Sequence, residues 1–98
     1  MSPEQKMVKD FHEKYGCMVG TMPALPDDHT LLLRTRLMCE EAVECLTAAS
    51  NHNLVDMVDA LCDLLYVTYG TAVVLGVDLQ PIFAEVQRAN MSKLGNHD

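Results

Sequence analysis

Glu40, Glu41 and Glu44, followed by Asp56, Asp59 and Asp63, stand at helical spacing in a stretch with no lysine or arginine between Arg36 and Arg88. At 100° per residue, Glu40 and Glu44 lie about 40° apart and Glu41 about 60° from Glu44, so the three glutamates leave a helix within one arc of about 100°. Asp56, Asp59 and Asp63 fall within about 60° of one another by the same rule. Ionised carboxylates withdrawn from water must be paired, hydrogen-bonded or metal-bound, or they take up protons. Without a basic partner nearby in sequence, a hard divalent cation held by oxygen ligands is the economical solution. Mg²⁺ fits best, with Mn²⁺ as a substitute.

Helices must position these groups. Ser2-Pro3-Glu4-Gln5 reads as a helix start, with Ser2 as N-cap, Pro3 at the first helical position and Gln5 closing a capping box. The first helix runs to about Tyr15 with Met7, Val8, Phe11 and Tyr15 as its apolar stripe, and Gly16 ends it. Residues 17 to 27 hold Gly20, Pro23 and Pro26 and are expected to form a loop, with a flap over a site as one use for it. Asp27 or Asp28 caps a second helix that carries the glutamates to about Ser50. Asn53 caps a third, apolar on nearly every side except for its aspartates, which ends near Leu75 with Gly76 beyond it. Asp78 caps a fourth, with Pro81 in its first turn, running to about Met91.

The fold class expected is therefore all-α, a four-helix subunit forming one domain over residues 1–98. Its third helix calls for more cover than so short a chain supplies, which points to a bundle completed by oligomerisation, as a homodimer or a dimer of dimers. A net charge of −7 argues against a nucleic-acid polymer as partner. Gly76 and Asp78 interrupt the apolar run after Asp63 before it is long enough to span a bilayer, so no membrane is expected. Cys17, Cys39, Cys45 and Cys62 form no C-x-x-C pair and read as small core residues in a reducing compartment. No basic segment followed by an apolar run opens the chain, and a cytoplasmic location is the expectation. His12, His29, His52 and His97 lack ligand spacing and read as surface residues.

The short turn at Asn51 to Asn53 makes the second and third helices antiparallel neighbours, so the two acidic patches should face each other. A di-iron carboxylate protein would need E-x-x-H pairs, which neither acidic helix has, and an EF-hand would need its loop spacing and central glycine. A non-catalytic or weakly active helical module, binding nucleotide, metal or a protein partner, explains the apolar helix but leaves the acids without a purpose. Glu40, Glu41 and Glu44 taken alone would pass for a solvated helix face.

Three blocks in order resemble the all-α NTP pyrophosphohydrolases: Glu40-Glu41-Ala42-Val43-Glu44, Asp59 to Gly70, and Phe83 to Lys93. Those relatives include the MazG proteins, the dimeric dUTPases and phosphoribosyl-ATP pyrophosphohydrolase, and the MazG-like or Cof-like branch is the most similar. The resemblance implies hydrolysis of a (deoxy)nucleoside triphosphate to monophosphate and pyrophosphate, with Mg²⁺ as cofactor, in a house-cleaning role. Glu41, Glu44 and Asp63 match its metal ligands, and Glu40 matches the acid that orients or deprotonates the attacking water. The remaining acidic position falls on Ala60, and Asp59, one residue earlier, can supply that carboxylate. Asn90 and Lys93 match an N-x-S-K block, and with Arg36 and Arg88 they are the candidates to hold the triphosphate.

Overall fold

The computed structural model describes residues 1–95, and the polar end beyond Gly95, His97 included, lies outside the described residues. Four helices follow one another: α1 (Pro3–Lys14), α2 (Asp28–Ser50), α3 (Leu54–Leu75) and α4 (Leu79–Gly95). No strand occurs among the described residues.

The caps follow the sequence closely. Ser2 Oγ accepts from the Gln5 amide, Asp27 from Thr30 and Asn53 from Asp56, while Asp78 accepts from the Gln80 amide at 3.0 Å. Gly76 closes α3 in the left-handed conformation, at φ 69°. One expected cap forms only by half. Gln5 is fully buried and does not reach back to Ser2; its Nε2 donates to the Val77 carbonyl at 2.7 Å and its Oε1 accepts from the Leu79 amide at 3.1 Å. A buried amide must satisfy both ends, and here those bonds fasten α1 to the turn between α3 and α4. The fourth helix also runs to Gly95, past the Met91 expected from sequence.

α3 is the centre of the molecule. α2 packs antiparallel along one side of it and α1 packs against it as well, whereas α4 packs lengthwise on no other helix. Val8, Ala48, Ala60, Ala72, Val73 and Val74 form the buried core, placed mainly at the C-terminal half of α3. By length and mean hydropathy, 1.5, α3 could cross a membrane, yet it carries three aspartates and is the helix on which α1 and α2 pack.

α3 is not enclosed within one subunit, since Leu54, Val55, Val58, Leu61 and Leu65 are exposed, in line with a helix that calls for more cover than the chain supplies. Other expectations about cover need correction. On α1 only Val8 of the apolar stripe is buried, and Met7, Phe11 and Tyr15 remain exposed. The cysteines are free thiols but not core residues: Cys17, Cys39 and Cys62 are exposed and Cys45 is half-buried. His12, by contrast, is buried, with Nδ1 2.9 Å from the Met18 carbonyl, because the chain leaving α1 folds over it.

The 17 to 27 segment is not a flap over the acidic residues. Its Gly20 and Ala24 amides donate to the Val73 and Leu75 carbonyls, which fixes it to the C-terminal end of α3. A Cβ on Gly20 would lie 2.6 Å from the Val74 carbonyl oxygen, so this close crossing needs glycine. Asp63 is about 18 Å away along the helix axis.

Candidate metal centre between α2 and α3

α2 and α3 meet through small residues near their turn. Ala48 and Ala60 are both buried, which lets the helices approach, and the Asn53 amide donates to the Ala48 carbonyl to close the turn. One step further from the turn the carboxylates converge. Glu41, Glu44 and Asp63 each offer a carboxylate oxygen, and these oxygens lie within 4.8 Å of one another. Glu41 is half-buried, and its Oε2 is buried without a hydrogen-bond partner. Burial raises the affinity of the Glu41 carboxyl for a proton above the ordinary, and the neighbouring Glu44, Asp63 and Glu40 raise it further. An orphaned carboxylate oxygen beside two further carboxylates is a donor set of the kind that Mg²⁺ or Mn²⁺ takes.

The other sequence candidates distribute around this trio. Glu40 is exposed on the adjoining part of α2, near enough for its charge to be felt at Glu41. Asp59 is exposed and outside the trio; it lines a 240 Å³ cavity with Glu44, Asp56 and Ala60. Ala60 lies 4% exposed beneath α2, so the position where the resemblance leads one to expect an acid holds a packed methyl group with carboxylates around it. Asp56 acts in the first turn of α3, where the Asn53 side chain holds its amide. Arg36 is exposed one turn before Glu40. Arg88 is bound to Glu85 of its own helix, with Nε 3.0 Å from each carboxylate oxygen. Asn90 and Lys93 are exposed, and among the described residues no hydrogen bond or ion pair joins the α4 candidates to the trio.

Sequence reasoning overlooked Arg34. It lies on the same face of α2 as Glu41, two turns earlier, and crosses α3 where Gly70 leaves room. Its Nη2 donates to the Val67 carbonyl at 3.0 Å and its Nε to Thr71 Oγ1 at 3.3 Å. A Cβ at position 70 would collide with this guanidinium and come within 3.1 Å of His12 Nε2. The signal was present as the seven-residue step from Arg34 to Glu41, opposite a glycine in the uncharged half of α3.

Comparison with known proteins agrees with this architecture. The profile of the phosphoribosyl-ATP pyrophosphohydrolase family matches residues 8–90, which takes in α2, α3 and most of α1 and α4. The chain belongs to this family. An uncharacterized protein of Acanthamoeba polyphaga mimivirus is 42% identical over 50 residues, covering 51% of this chain and 20% of that protein. The chain therefore spans about a fifth of the length of that relative. For a phosphoribosyl-ATP pyrophosphohydrolase family member, a carboxylate trio between two antiparallel helices is the feature on which metal-dependent chemistry can rest.

Proposed function

We propose that this chain is a Mg²⁺-dependent nucleoside triphosphate pyrophosphohydrolase, converting (deoxy)NTPs to (deoxy)NMPs and pyrophosphate as a cytoplasmic house-cleaning enzyme. The observation that carries the proposal is the convergence of Glu41, Glu44 and Asp63 around a buried, unpartnered carboxylate oxygen. These three residues would hold the cation, with Asp59 adding a carboxylate from the adjoining cavity. Bound there, Mg²⁺ would neutralise phosphate oxygens and make water a better nucleophile at neutral pH.

In this reading Glu40 acts as the base. Exposed beside the trio, it can accept the proton of a water that attacks the α–β phosphoanhydride. The new P–O bond forms as the bridging P–O bond breaks, leaving monophosphate and pyrophosphate. Arg36, one turn before Glu40 on α2 and exposed, would meet phosphate oxygens, while Arg88, Asn90 and Lys93 would have to approach from α4.

Pyrophosphate release from a panel of canonical and modified dNTPs with Mg²⁺ tests the proposal on wild type, Glu40→Gln and Asp59→Asn. Turnover of at least one nucleotide by wild type, lost in Glu40→Gln, supports it. No release from any nucleotide would instead favour a helical interaction module, the reading to which the packed Ala60 lends weight. Unchanged turnover in Asp59→Asn would remove only the supplementary ligand.

A further inference from the structure

The face that α2 turns toward α3 is a row of Leu31, Arg34, Met38, Glu41, Cys45 and Ala48, spaced alternately by three and four and all buried or half-buried. Opposite it, Met57, Ala60, Leu64, Val67 and Thr71 of α3 follow the same spacing and are covered as well. A seam of this spacing is apolar as a rule, and a polar residue placed in it fixes the register of the two helices at a cost in stability. Here α2 contributes two charged residues, Arg34 and Glu41, two turns apart on one face.

Their surroundings differ. Glu41 keeps a buried oxygen without a partner, whereas Arg34 is fastened to α3. The Thr71 hydroxyl accepts from Arg34 Nε and donates to the Val67 carbonyl at 2.9 Å, the same carbonyl that takes Arg34 Nη2, so the three groups close a ring across the seam. Among the described residues no carboxylate pairs with Arg34, although burial disfavours its charge. Gly70 supplies the space, since a Cβ there would collide with the guanidinium.

The carboxylates therefore lie between two fixed points. Toward the turn, the buried Ala48 and Ala60 let the helices approach, and away from it Arg34 ties them together. Glu41 is about 10.5 Å along α2 from either Arg34 or Ala48. Without the outer tie, a swing of α2 by about 5° about Asn51, which is about 15 Å from Glu41, would carry Glu41 by about 1.3 Å. Mg²⁺ demands oxygen ligands at about 2.0–2.1 Å in near-octahedral geometry, and a drift of that size takes a ligand out of reach.

We propose that Arg34 is a positioning residue for the carboxylate trio: its tie to Val67 and Thr71 across Gly70 holds α2 where Glu41 and Glu44 meet Asp63, a role that rests on the trio being a metal site.

Mn²⁺ titration of the full chain, followed through the electron paramagnetic resonance signal of the free ion, tests this beside melting temperatures in EDTA. Arg34→Met removes both donors and is expected to raise the dissociation constant about tenfold, as for other groups standing behind metal ligands. Charge alone predicts the opposite sign, because removing a cation about 10 Å from a bound cation tightens its binding. Gly70→Ala leaves every charge in place but displaces the guanidinium. It should raise the constant about as much without a matching loss of melting temperature, since alanine is the better helix former. Arg34→Met/Gly70→Ala should bind as Arg34→Met does, because both changes break one tie. Val74→Ala, a truncation in the core near the far end of α3, should melt lower and bind Mn²⁺ as wild type does. A wild-type constant in Arg34→Met or Gly70→Ala, or tighter binding in Arg34→Met, would overturn the positioning role and leave the metal site standing. A wild type that binds no Mn²⁺ would overturn both together.

Discussion

One side of α3 is covered and the other is bare, although both carry an apolar stripe with the same spacing. The covered stripe, Met57 to Thr71, uses small groups, Ala60 and Thr71, where α2 approaches, and the glycine at position 70 beside it admits Arg34. The bare stripe uses larger ones, Val58, Leu65 and Tyr69, and stays largely exposed, with α1 and α4 only along its flanks. The aspartates lie along the border of the covered stripe, so Asp63 is drawn to Glu41 and Glu44 by the packing of α2. Equal periodicity thus has two outcomes: a close fit that places charges, and a stripe that stays exposed.

The largest effect should come from the centre of the covered side. Glu41→Gln is expected to reduce pyrophosphate release more than about 100-fold, since even groups standing behind metal ligands are worth 10–100-fold. Steady-state assays with Mg²⁺, alongside far-UV circular dichroism showing intact helices, check this. Ala60→Leu should cost about 1–3 kcal/mol by overpacking the α2 contact, and would lower the melting temperature by several degrees in a domain of this size. Arg34→Gln should cost about 1–2 kcal/mol through the bonds lost to Val67 and Thr71, measured by urea unfolding. The smallest effect belongs to the bare side: Val55→Ala, at a position 76% exposed, should stay within about 0.5 kcal/mol in urea unfolding. A cost as large as that of Ala60→Leu would erase the distinction between the two sides.

Much of this was legible in the sequence because it depended on local chemistry. Ser2, Asp27, Asn53 and Gly76 mark their helix ends through hydrogen bonds or φ angles that involve near neighbours. That the two acidic patches face each other followed from helical spacing plus one short turn, whereas the choice of Glu41, Glu44 and Asp63 among them came from the resemblance to the pyrophosphohydrolases. What escaped were contacts between segments distant in sequence. Gln5 is paired with residues 72 and 74 positions away, and Arg34 is settled by a glycine on another helix. Burial was overestimated for a related reason. Hydropathy shows that a side chain avoids water but not whether the fold covers it, and Met7, Phe11, Tyr15 and three of the cysteines stay exposed.

The raised affinity of Glu41 for a proton also fixes the sign of a pH–stability relation. Burial and the charges of Glu44, Asp63 and Glu40 hold the Glu41 carboxyl above the usual range. A raised carboxyl pKa means that the folded state binds more protons than the unfolded one between the two pKa values. This group's contribution to stability therefore falls as pH rises through that window and stays unfavourable above it. The carboxyls of Asp27, Asp78 and Glu85 are lowered by their hydrogen-bonding partners and contribute the opposite slope. Comparing wild type with Glu41→Gln across pH isolates the Glu41 contribution.

The most direct measurement is the melting temperature of wild type and Glu41→Gln at neutral pH, in EDTA and across a Mg²⁺ titration. Without metal, Glu41→Gln should melt above wild type, because an unpaired buried carboxylate has been removed. With rising Mg²⁺, wild type should gain stability by mass action, about 2.7 kcal/mol at a hundred times the dissociation constant, and overtake the variant. A wild type indifferent to Mg²⁺, or a variant that gains as much as wild type, would contradict a cation site between α2 and α3.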